Sequence, residues 1–260
     1  MSKSLVVSVS GKGGTGKTTL VALLLKVLLE NENQNFRDIL VVDADPDTNL
    51  PDVLGIEIRK TVGMVANELK KKVEKGQIPS SVSKRDILEA WVYETLVEED
   101  KFDMLVMGRT EGEGCYCYVN SVLTGILDVL LSNYDLILMD MEAGLEHISR
   151  RTDKDVDTMI VVVDPSVMSF RTAIRIKELV KEVHIQIKNL YLVGNRFSET
   201  LKEKFWELAS NTGIDVAGLI PEDEKIHEYG ITGRSLLELP QNSPSVLAAR
   251  EVAKNIGLLT

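Results

Sequence analysis

Short runs of apolar, mostly β-branched residues recur along the chain between longer segments of helical character. The runs are continuous rather than alternating, as expected of strands that are covered on both faces. They occupy residues 5–9, 39–42, 104–107, 136–139, 159–163 and 190–193, with a further run at 216–220. Strands that alternate with helices predict an α/β fold with a doubly wound, mostly parallel sheet. No repeat or long linker divides the sequence, so we expect one domain over residues 1–260.

The composition is that of a globular, acidic protein. The 260 residues are 44% hydrophobic and carry a formal net charge of −10. Such a chain lacks the basic stripe of a general nucleic-acid surface. The first apolar run is too short for a secretory signal, and no apolar stretch approaches the length of a membrane span. We therefore expect a cytoplasmic protein that binds neither nucleic acid nor membrane.

A glycine-rich loop separates the first predicted strand from the first predicted helix. It has the G-x4-G-K-[ST] spacing of a nucleotide phosphate loop, and its glycines and the following helix N-terminus favour a polyphosphate. In such a loop Lys17 contacts the β- and γ-phosphates, the Thr18 hydroxyl coordinates Mg²⁺, and Thr19 reaches the α-phosphate. The alternative is a glycine-rich turn with a solvated lysine. The predicted nucleotide-binding residues here are Gly11, Lys12, Gly13, Gly14, Thr15, Gly16, Lys17, Thr18 and Thr19.

Acidic residues follow the second and fourth predicted strands, at the edge where parallel sheets bind ligands. Asp43 and Asp45 point the same way along an extended backbone, so their charges favour a bound magnesium ion or an ordered water between them. Asp140 ends the fourth strand and is predicted to hold Mg²⁺ through water, because a buried aspartate must be paired or liganded. For Asp43 and Asp47, turn or helix capping fits equally well.

Two cysteines, Cys115 and Cys117, stand one residue apart in a glycine- and tyrosine-containing stretch after the third strand. A disulfide between them would close a small strained ring. Both thiols lie on the same side of an extended backbone, and a soft divalent ion such as zinc prefers four tetrahedral ligands. One chain supplies half of such a site and two chains supply all of it. The alternative is a pair of cysteines that pack as small hydrophobic residues.

A second lysine near the start of the loop, Lys12, makes it resemble the deviant phosphate loop of the MinD/ParA, arsenite-pump ATPase and nitrogenase iron-protein superfamily. The resemblance implies that Lys12 reaches the partner's nucleotide across a homodimer interface. It also implies that Asp45, which precedes Pro46, positions the attacking water, so Lys12, Lys17 and Asp45 are the expected catalytic residues. The asparagine at position 49 would sense the γ-phosphate, and Gly144 would approach it.

The same superfamily resemblance implies an adenine site near the ends of the last two strands. An asparagine there reads the adenine edge and a proline loop packs on the ring. We accordingly expect adenine contacts from Asn195, Arg196, Pro221 and Glu222. The loop residue His147 is expected to be solvated rather than a ligand.

Taken together, the motifs resemble those of the CooC family, the nickel-insertion ATPases that mature carbon monoxide dehydrogenase. The resemblance rests on the deviant loop, Asp45-Pro46, Gly114-Cys115-Tyr116-Cys117 and Asp140-Met141-Glu142-Ala143-Gly144. Met141 stands where family members often have threonine. The resemblance implies an ATPase that takes ATP with Mg²⁺, yields ADP, dimerises, and binds Ni²⁺ or Zn²⁺ through Cys115 and Cys117 of both subunits. Carbon monoxide dehydrogenase is then the expected client.

Three other functions remain open at this point. A nickel-loading ATPase for acetyl-CoA synthase would have nearly the same sequence. An electron-transfer protein would hold an iron–sulfur cluster on the same four thiolates. A MinD- or ParA-like organiser would bind a membrane or DNA instead.

Overall fold

The strands of the sheet are spread along the chain and come from both its N-terminal and C-terminal halves. The computed structural model describes residues 4–31, 36–78, 83–109, 128–142, 156–182 and 187–260. Within these ranges the strands are β1 (Leu5–Gly11), β2 (Ile39–Asp43), β3 (Val97–Glu98), β4 (Asp103–Val106), β5 (Leu136–Asp140), β6 (Val156–Val163), β7 (Ile187–Phe197) and β8 (Asp215–Pro221). They form one eight-stranded sheet in the order β3-β4-β2-β5-β1-β6-β7-β8. Every neighbouring pair is parallel except β3 and β4.

Helices connect the strands. The α-helices with both ends in the described ranges are α1 (Lys17–Leu29), α2 (Leu50–Leu54), α3 (Val62–Glu74), α4 (Lys84–Tyr93), α5 (Val167–Glu182), α6 (Lys202–Ser210), α7 (Glu224–Thr232) and α8 (Pro244–Asn255). Local sequence fixes several of their ends. The hydroxyl of Thr61 accepts from the Met64 N–H at 3.2 Å to begin α3, and that of Ser83 accepts from the Asp86 N–H at 3.3 Å to begin α4. Such caps pair N–H groups that a first helical turn leaves without partners.

The sheet confirms the predicted doubly wound, mostly parallel α/β fold. Each of the seven apolar runs lies in a strand of the sheet or overlaps one, with ends that differ by a few residues. The sequence analysis missed β3, a two-residue strand that pairs antiparallel with β4 at one edge. A strand of two residues is too short to show a period of hydrophobic positions in the sequence. A strand this short leaves little exposed edge for pairing with another chain.

Alternate residues of the central strands pack on opposite faces of the sheet. In β2, for example, Val41 belongs to one buried cluster, while Leu40 and Val42 belong to the other. The first cluster lies between the sheet, α1 and α8, and the second includes residues of α3 to α6. This double coverage explains why the strands read as continuous apolar runs. No helix in the described ranges is both long and apolar enough to cross a membrane.

Helix α1 is enclosed on nearly all sides. Ten of its thirteen residues are buried, and they include the charged Lys26. The Lys26 ammonium donates to the Glu30 carboxylate at 2.6 Å and to the Leu237 carbonyl at 2.8 Å. A buried ammonium is tolerated only when it is paired in this way. The helix that follows the glycine-rich loop is therefore anchored in the interior of the molecule.

Candidate functional site

The glycine-rich loop connects β1 to α1 at the carboxyl edge of the sheet. Gly11 has φ 148°, and a Cβ there would lie 2.5 Å from the Val162 carbonyl oxygen. Gly16 has φ 90°, and a Cβ there would lie 2.0 Å from the Asn195 side-chain amide. Both positions therefore exclude other residues on conformational and steric grounds. Between them, the loop turns on the Lys12 carbonyl, which accepts from the Thr15 hydroxyl at 2.8 Å.

Side chains from three elements meet beside the N-terminus of α1. The Lys17 ammonium lies 4.0 Å from an Asp45 carboxylate oxygen, and both side chains are largely buried. The Thr18 hydroxyl donates to Asp140 Oδ2 at 2.5 Å. Asp140 Oδ1 is buried and has no hydrogen-bond partner among the described residues. The structure thus brings together the loop lysine, the hydroxyl predicted to bind Mg²⁺ and the two predicted functional carboxylates.

Two carboxylates at this edge have raised pKa values. Burial raises the pKa of Asp140 from 3.8 to about 6, and the charge of Asp45 adds to the effect, while the Thr18 hydrogen bond and the Lys17 charge oppose it. Burial likewise raises the pKa of Asp43 to about 7, with a further rise from the charge of Asp140. Asp43 and Asp140 are register partners on adjacent strands. The edge therefore concentrates negative charge in a poorly solvated place that favours a cation.

Asp43 shapes the loop after β2. Its carboxylate accepts from the Asp45 N–H at 3.1 Å and from the Leu50 N–H at 3.0 Å, where α2 begins. Of the two roles open for Asp43, the capping role is the one these contacts support. Asp47 faces outward, and its carboxylate pairs with Arg109 at 2.5 Å. The predicted γ-phosphate sensor, Asn49, is exposed just before α2.

A cleft of about 210 Å³ opens beside the loop, between the ends of β7 and β8 and helix α7. It is lined by Gly16, Thr19, Asn195, Arg196, Pro221, Asp223, Ile226 and His227. The sequence analysis predicted that five of these residues contact the nucleotide. Glu222 does not line the cleft; its carboxylate lies 4.0 Å from the His227 ring at the surface. The sequence analysis missed Asp223, Ile226 and His227, which follow Pro221 closely and belong to the start of α7 or its cap.

Asp223 holds this side of the cleft in place. Its carboxylate accepts from the Lys225 N–H at 3.0 Å, which caps α7, and from the Ser245 hydroxyl at 2.6 Å, at the start of α8. It is buried, with 7% of its surface exposed. We therefore assign it to the scaffold of the cleft. Ile226 and His227 are the residues of this wall with side chains available to a ligand.

Other predicted residues have no contacts of this kind. The side chain of Lys12 is half-buried and forms no ion pair with any described residue. Cys115, Cys117, Gly144 and His147 lie outside the described residues. Among the residues that are described, no group of three or more His, Cys, Asp or Glu side chains is placed to hold a metal ion. The roles of the cysteines and of Lys12 stay predictions.

Comparisons with known proteins agree with this geometry. Residues 6–236 match the profile of the CobQ/CobB/MinD/ParA nucleotide binding domain. An uncharacterised ATP-binding protein of Methanocaldococcus jannaschii is 44% identical over 252 residues, which cover 97% of this chain and 98% of the relative. The carbon monoxide dehydrogenase accessory protein CooC of Rhodospirillum rubrum is 28% identical over 242 residues, 90% of this chain and 89% of that protein.

The fold is also found among solved structures. A ParA family ATPase from Chlorobium tepidum superposes with a TM-score of 0.69 at 19% identity, over 96% of this chain and 98% of that one. A likeness at this level of identity supports the fold alone. The family profile, in contrast, spans the phosphate loop, both acidic strand ends and the cleft. The chain therefore belongs to the CobQ/CobB/MinD/ParA family of nucleotide-binding P-loop proteins.

Proposed function

We propose that this protein is an ATPase that dimerises around ATP and uses hydrolysis to deliver nickel to carbon monoxide dehydrogenase. The observation that carries the ATPase part is the meeting of Lys17, Thr18, Asp45 and Asp140 at the phosphate loop. The delivery part is supported by the Cys115/Cys117 pair in the sequence. It is also supported by the similarity to a protein named as a carbon monoxide dehydrogenase accessory protein.

The nucleotide end of the site has the groups that phosphoryl transfer requires. Lys17 supplies positive charge where negative charge develops on the transferred phosphoryl group. Asp45, 4.0 Å from that ammonium, is the carboxylate that would hold and orient the attacking water. The cleft beside the loop would take the adenine, with Asn195 and Pro221 in its wall.

The residues present fit a magnesium ion. Mg²⁺ prefers oxygen ligands, and the site offers the Thr18 hydroxyl and a buried Asp140 oxygen that has no partner among the described residues. When bound, Mg²⁺ neutralises charge on the β- and γ-phosphate oxygens. Thr18 and Asp140 are the residues that would hold it, directly or through water.

Lys12 would act on the partner subunit. Its ammonium forms no ion pair within the described part of the chain. An ammonium that reaches phosphates only in the closed dimer makes ATP favour that state, since only a difference in affinity shifts such an equilibrium. In this proposal a Lys12→Ala variant binds ATP as a monomer and hydrolyses it poorly.

Closure of the dimer would assemble the cargo site. Two copies bring Cys115 and Cys117 together as four thiolates, a ligand set that suits Zn²⁺ and other soft divalent ions and that we assign to Ni²⁺ as the cargo. Nucleotide binding and metal capture are thereby linked through one event. Acetyl-CoA synthase is the alternative client of the same chemistry.

The test is metal binding by a Cys115→Ser/Cys117→Ser variant, with Tyr116→Phe as a control that keeps both thiols. Each protein is titrated with Ni²⁺ without nucleotide, with ADP and with a non-hydrolysable ATP analogue, and its mass in solution is measured. We expect one Ni²⁺ per wild-type dimer, no bound Ni²⁺ in the serine variant, and unchanged nucleotide binding in both variants. A serine variant that keeps one tightly bound Ni²⁺ per dimer would contradict the delivery site. ATP-dependent pelleting with DNA or liposomes would favour a ParA- or MinD-like role.

A further inference from the structure

Two successive residues at the end of β7 hold the phosphate loop by its backbone. The Asn195 side-chain amide donates to the Thr15 carbonyl at 2.8 Å. The Arg196 guanidinium donates to the Gly14 carbonyl. The superfamily resemblance assigns both residues to the base, yet in the structure their hydrogen bonds go to the loop.

The backbone of Arg196 indicates that its position is enforced. Its φ is 59°, and it is one of two non-glycine residues with positive φ in the described part of the chain. A bulky residue adopts this conformation only where surrounding contacts compensate for the strain, and such residues cluster at functional sites. With this backbone conformation, at an irregularity in the pairing of β7 with β8, the Arg196 guanidinium contacts the Gly14 carbonyl.

Arg196 is in turn anchored on the strand beside its own. Its guanidinium lies 3.7 Å from the Asp164 carboxylate, just after β6. Asp164 is itself fixed, because its carboxylate accepts from the Ser166 hydroxyl at 2.5 Å and its N–H donates to Ser169 Oγ at 3.2 Å. A chain of contacts therefore runs from the start of α5 through Asp164 and Arg196 to Gly14.

Carbonyl oxygens that face a phosphate repel it, so a loop that binds a polyphosphate must pair its carbonyls elsewhere. Four carbonyls of this loop are paired: that of Lys12 with Thr15, that of Gly14 with Arg196, that of Thr15 with Asn195, and that of Gly16 with the Leu20 N–H of α1. Because each peptide unit is trans, a carbonyl turned toward β7 directs the following N–H the opposite way. For Thr15, that following N–H belongs to Gly16.

We infer that Arg196, anchored by Asp164, is a positioning residue that keeps the phosphate loop in its binding shape and does not select the base. The ligand concerned is the polyphosphate of a nucleoside di- or triphosphate. The inference rests on the nucleotide-binding part of the proposed function and needs neither the metal nor the client.

Three accounts of Arg196 differ in what they predict. If Arg196 reads the base, Arg196→Ala weakens ADP more than GDP. If Arg196 acts only through its charge, Asp164→Asn tightens nucleotide binding, because it removes a negative charge near the phosphates. If Arg196 positions the loop, Arg196→Ala weakens ADP and GDP by the same factor, about five- to tenfold, and Asp164→Asn weakens both by about two- to threefold.

The experiment is displacement of a fluorescent ADP analogue by ADP and GDP, in Mg²⁺, from the wild type and from the Arg196→Ala, Arg196→Lys and Asp164→Asn variants. Lysine keeps the charge without the planar fork, so we expect it to restore only part of the affinity. Arg234→Ala is the matched control, since Arg234 is also a partly exposed arginine with a carboxylate partner but lies at the end of α7. The Arg234→Ala variant should bind ADP and GDP with the affinities of the wild type.

Tighter binding by Asp164→Asn, or a changed ADP-to-GDP ratio in Arg196→Ala, would overturn the inference. The sign of the Asp164→Asn effect decides the question even if Arg196→Ala does not fold. If the wild-type protein binds no ADP, the proposed function and this inference are both contradicted. Normal wild-type binding with unaltered variants would contradict this inference alone.

Discussion

Replacing Asp140 with asparagine tests whether the carboxylate cluster is costly in the absence of a cation. Burial raises the pKa of Asp140 from 3.8 to about 6. Between these two pH values the folded state keeps a proton that the unfolded state has lost, so the free energy of unfolding falls as pH rises through this window. Above about pH 6 the group is ionised in both states, and the accumulated cost is about 3 kcal/mol.

Asparagine has the same shape but does not titrate in this range. The Thr18 hydroxyl can still donate to its oxygen, while its buried amide lacks a partner, a penalty of about 1–3 kcal/mol that does not depend on pH. The quantity to follow is therefore the difference in the free energy of unfolding between Asp140→Asn and the wild type, measured as a function of pH. We expect this difference to shift by about 2.5 kcal/mol in favour of the variant between pH 4 and pH 7.5, because the aspartate of the unfolded state is already partly ionised at pH 4. Removing the Asp140 charge also lowers the pKa of Asp43, which acts in the same direction.

Urea unfolding of nucleotide-free protein in EDTA, at several pH values, measures this difference. Asp52→Asn is the control, because Asp52 is an exposed aspartate on α2 away from the cluster. Adding Mg²⁺ with ADP should stabilise the wild type and give much less stabilisation to Asp140→Asn. A stability difference that is constant over the whole pH range would refute the reasoning.

Substitutions at Gly16 and Gly108 give two further predictions, each with a second glycine as its control. Gly16→Ala should abolish ADP binding in a protein that still folds, because its φ is 90° and the new Cβ would lie 2.0 Å from the side-chain amide at the end of β7. Gly13→Ala, which has open space around it, should keep measurable ADP binding in the same titration. Gly108→Ala should lower the free energy of unfolding by about 2–3 kcal/mol, since its φ is 62° and its Cβ would lie 2.4 Å from the Thr61 hydroxyl that caps α3. Gly76→Ala has similar φ but open space, so a loss as large as that of Gly108→Ala would contradict the steric part of this explanation.

The central strands and the phosphate loop were predictable because their signals are local. A strand covered on both faces must be apolar at every position, as Ile39 to Val42 are, and the phosphate loop is recognised from the spacing of its glycines, lysine and threonine between a strand and a helix. Asp140 was predictable too, because a carboxylate that ends a buried strand needs a partner. Each of these inferences depends on the residue itself and on its immediate neighbours in the chain.

The parts that could not be predicted depend on contacts between distant segments. Arg196 and Gly14 are 182 residues apart, and nothing near either one indicates their hydrogen bond. The cleft wall at Ile226 and His227 depends on how α7 is oriented after β8. The hydrophobic pattern of the sequence does not encode that orientation. The role of Asp43 was left undecided for a different reason. Its two N–H donors, those of Asp45 and Leu50, are near it in the chain, but they face its carboxylate only once the loop is folded.

The enclosure of α1 has a consequence for how ATP and ADP are told apart. Shifting the start of this helix would open the interior between the sheet and α8 and would pull the Lys26 ammonium away from its two oxygen partners. In the proposed ATPase, the subsite for the α- and β-phosphates would therefore keep the same position with ATP and with ADP. Any conformational difference between the ATP and ADP states of that ATPase would then begin in the loops around the terminal phosphate, so separate mutations could alter product release and the conformational change.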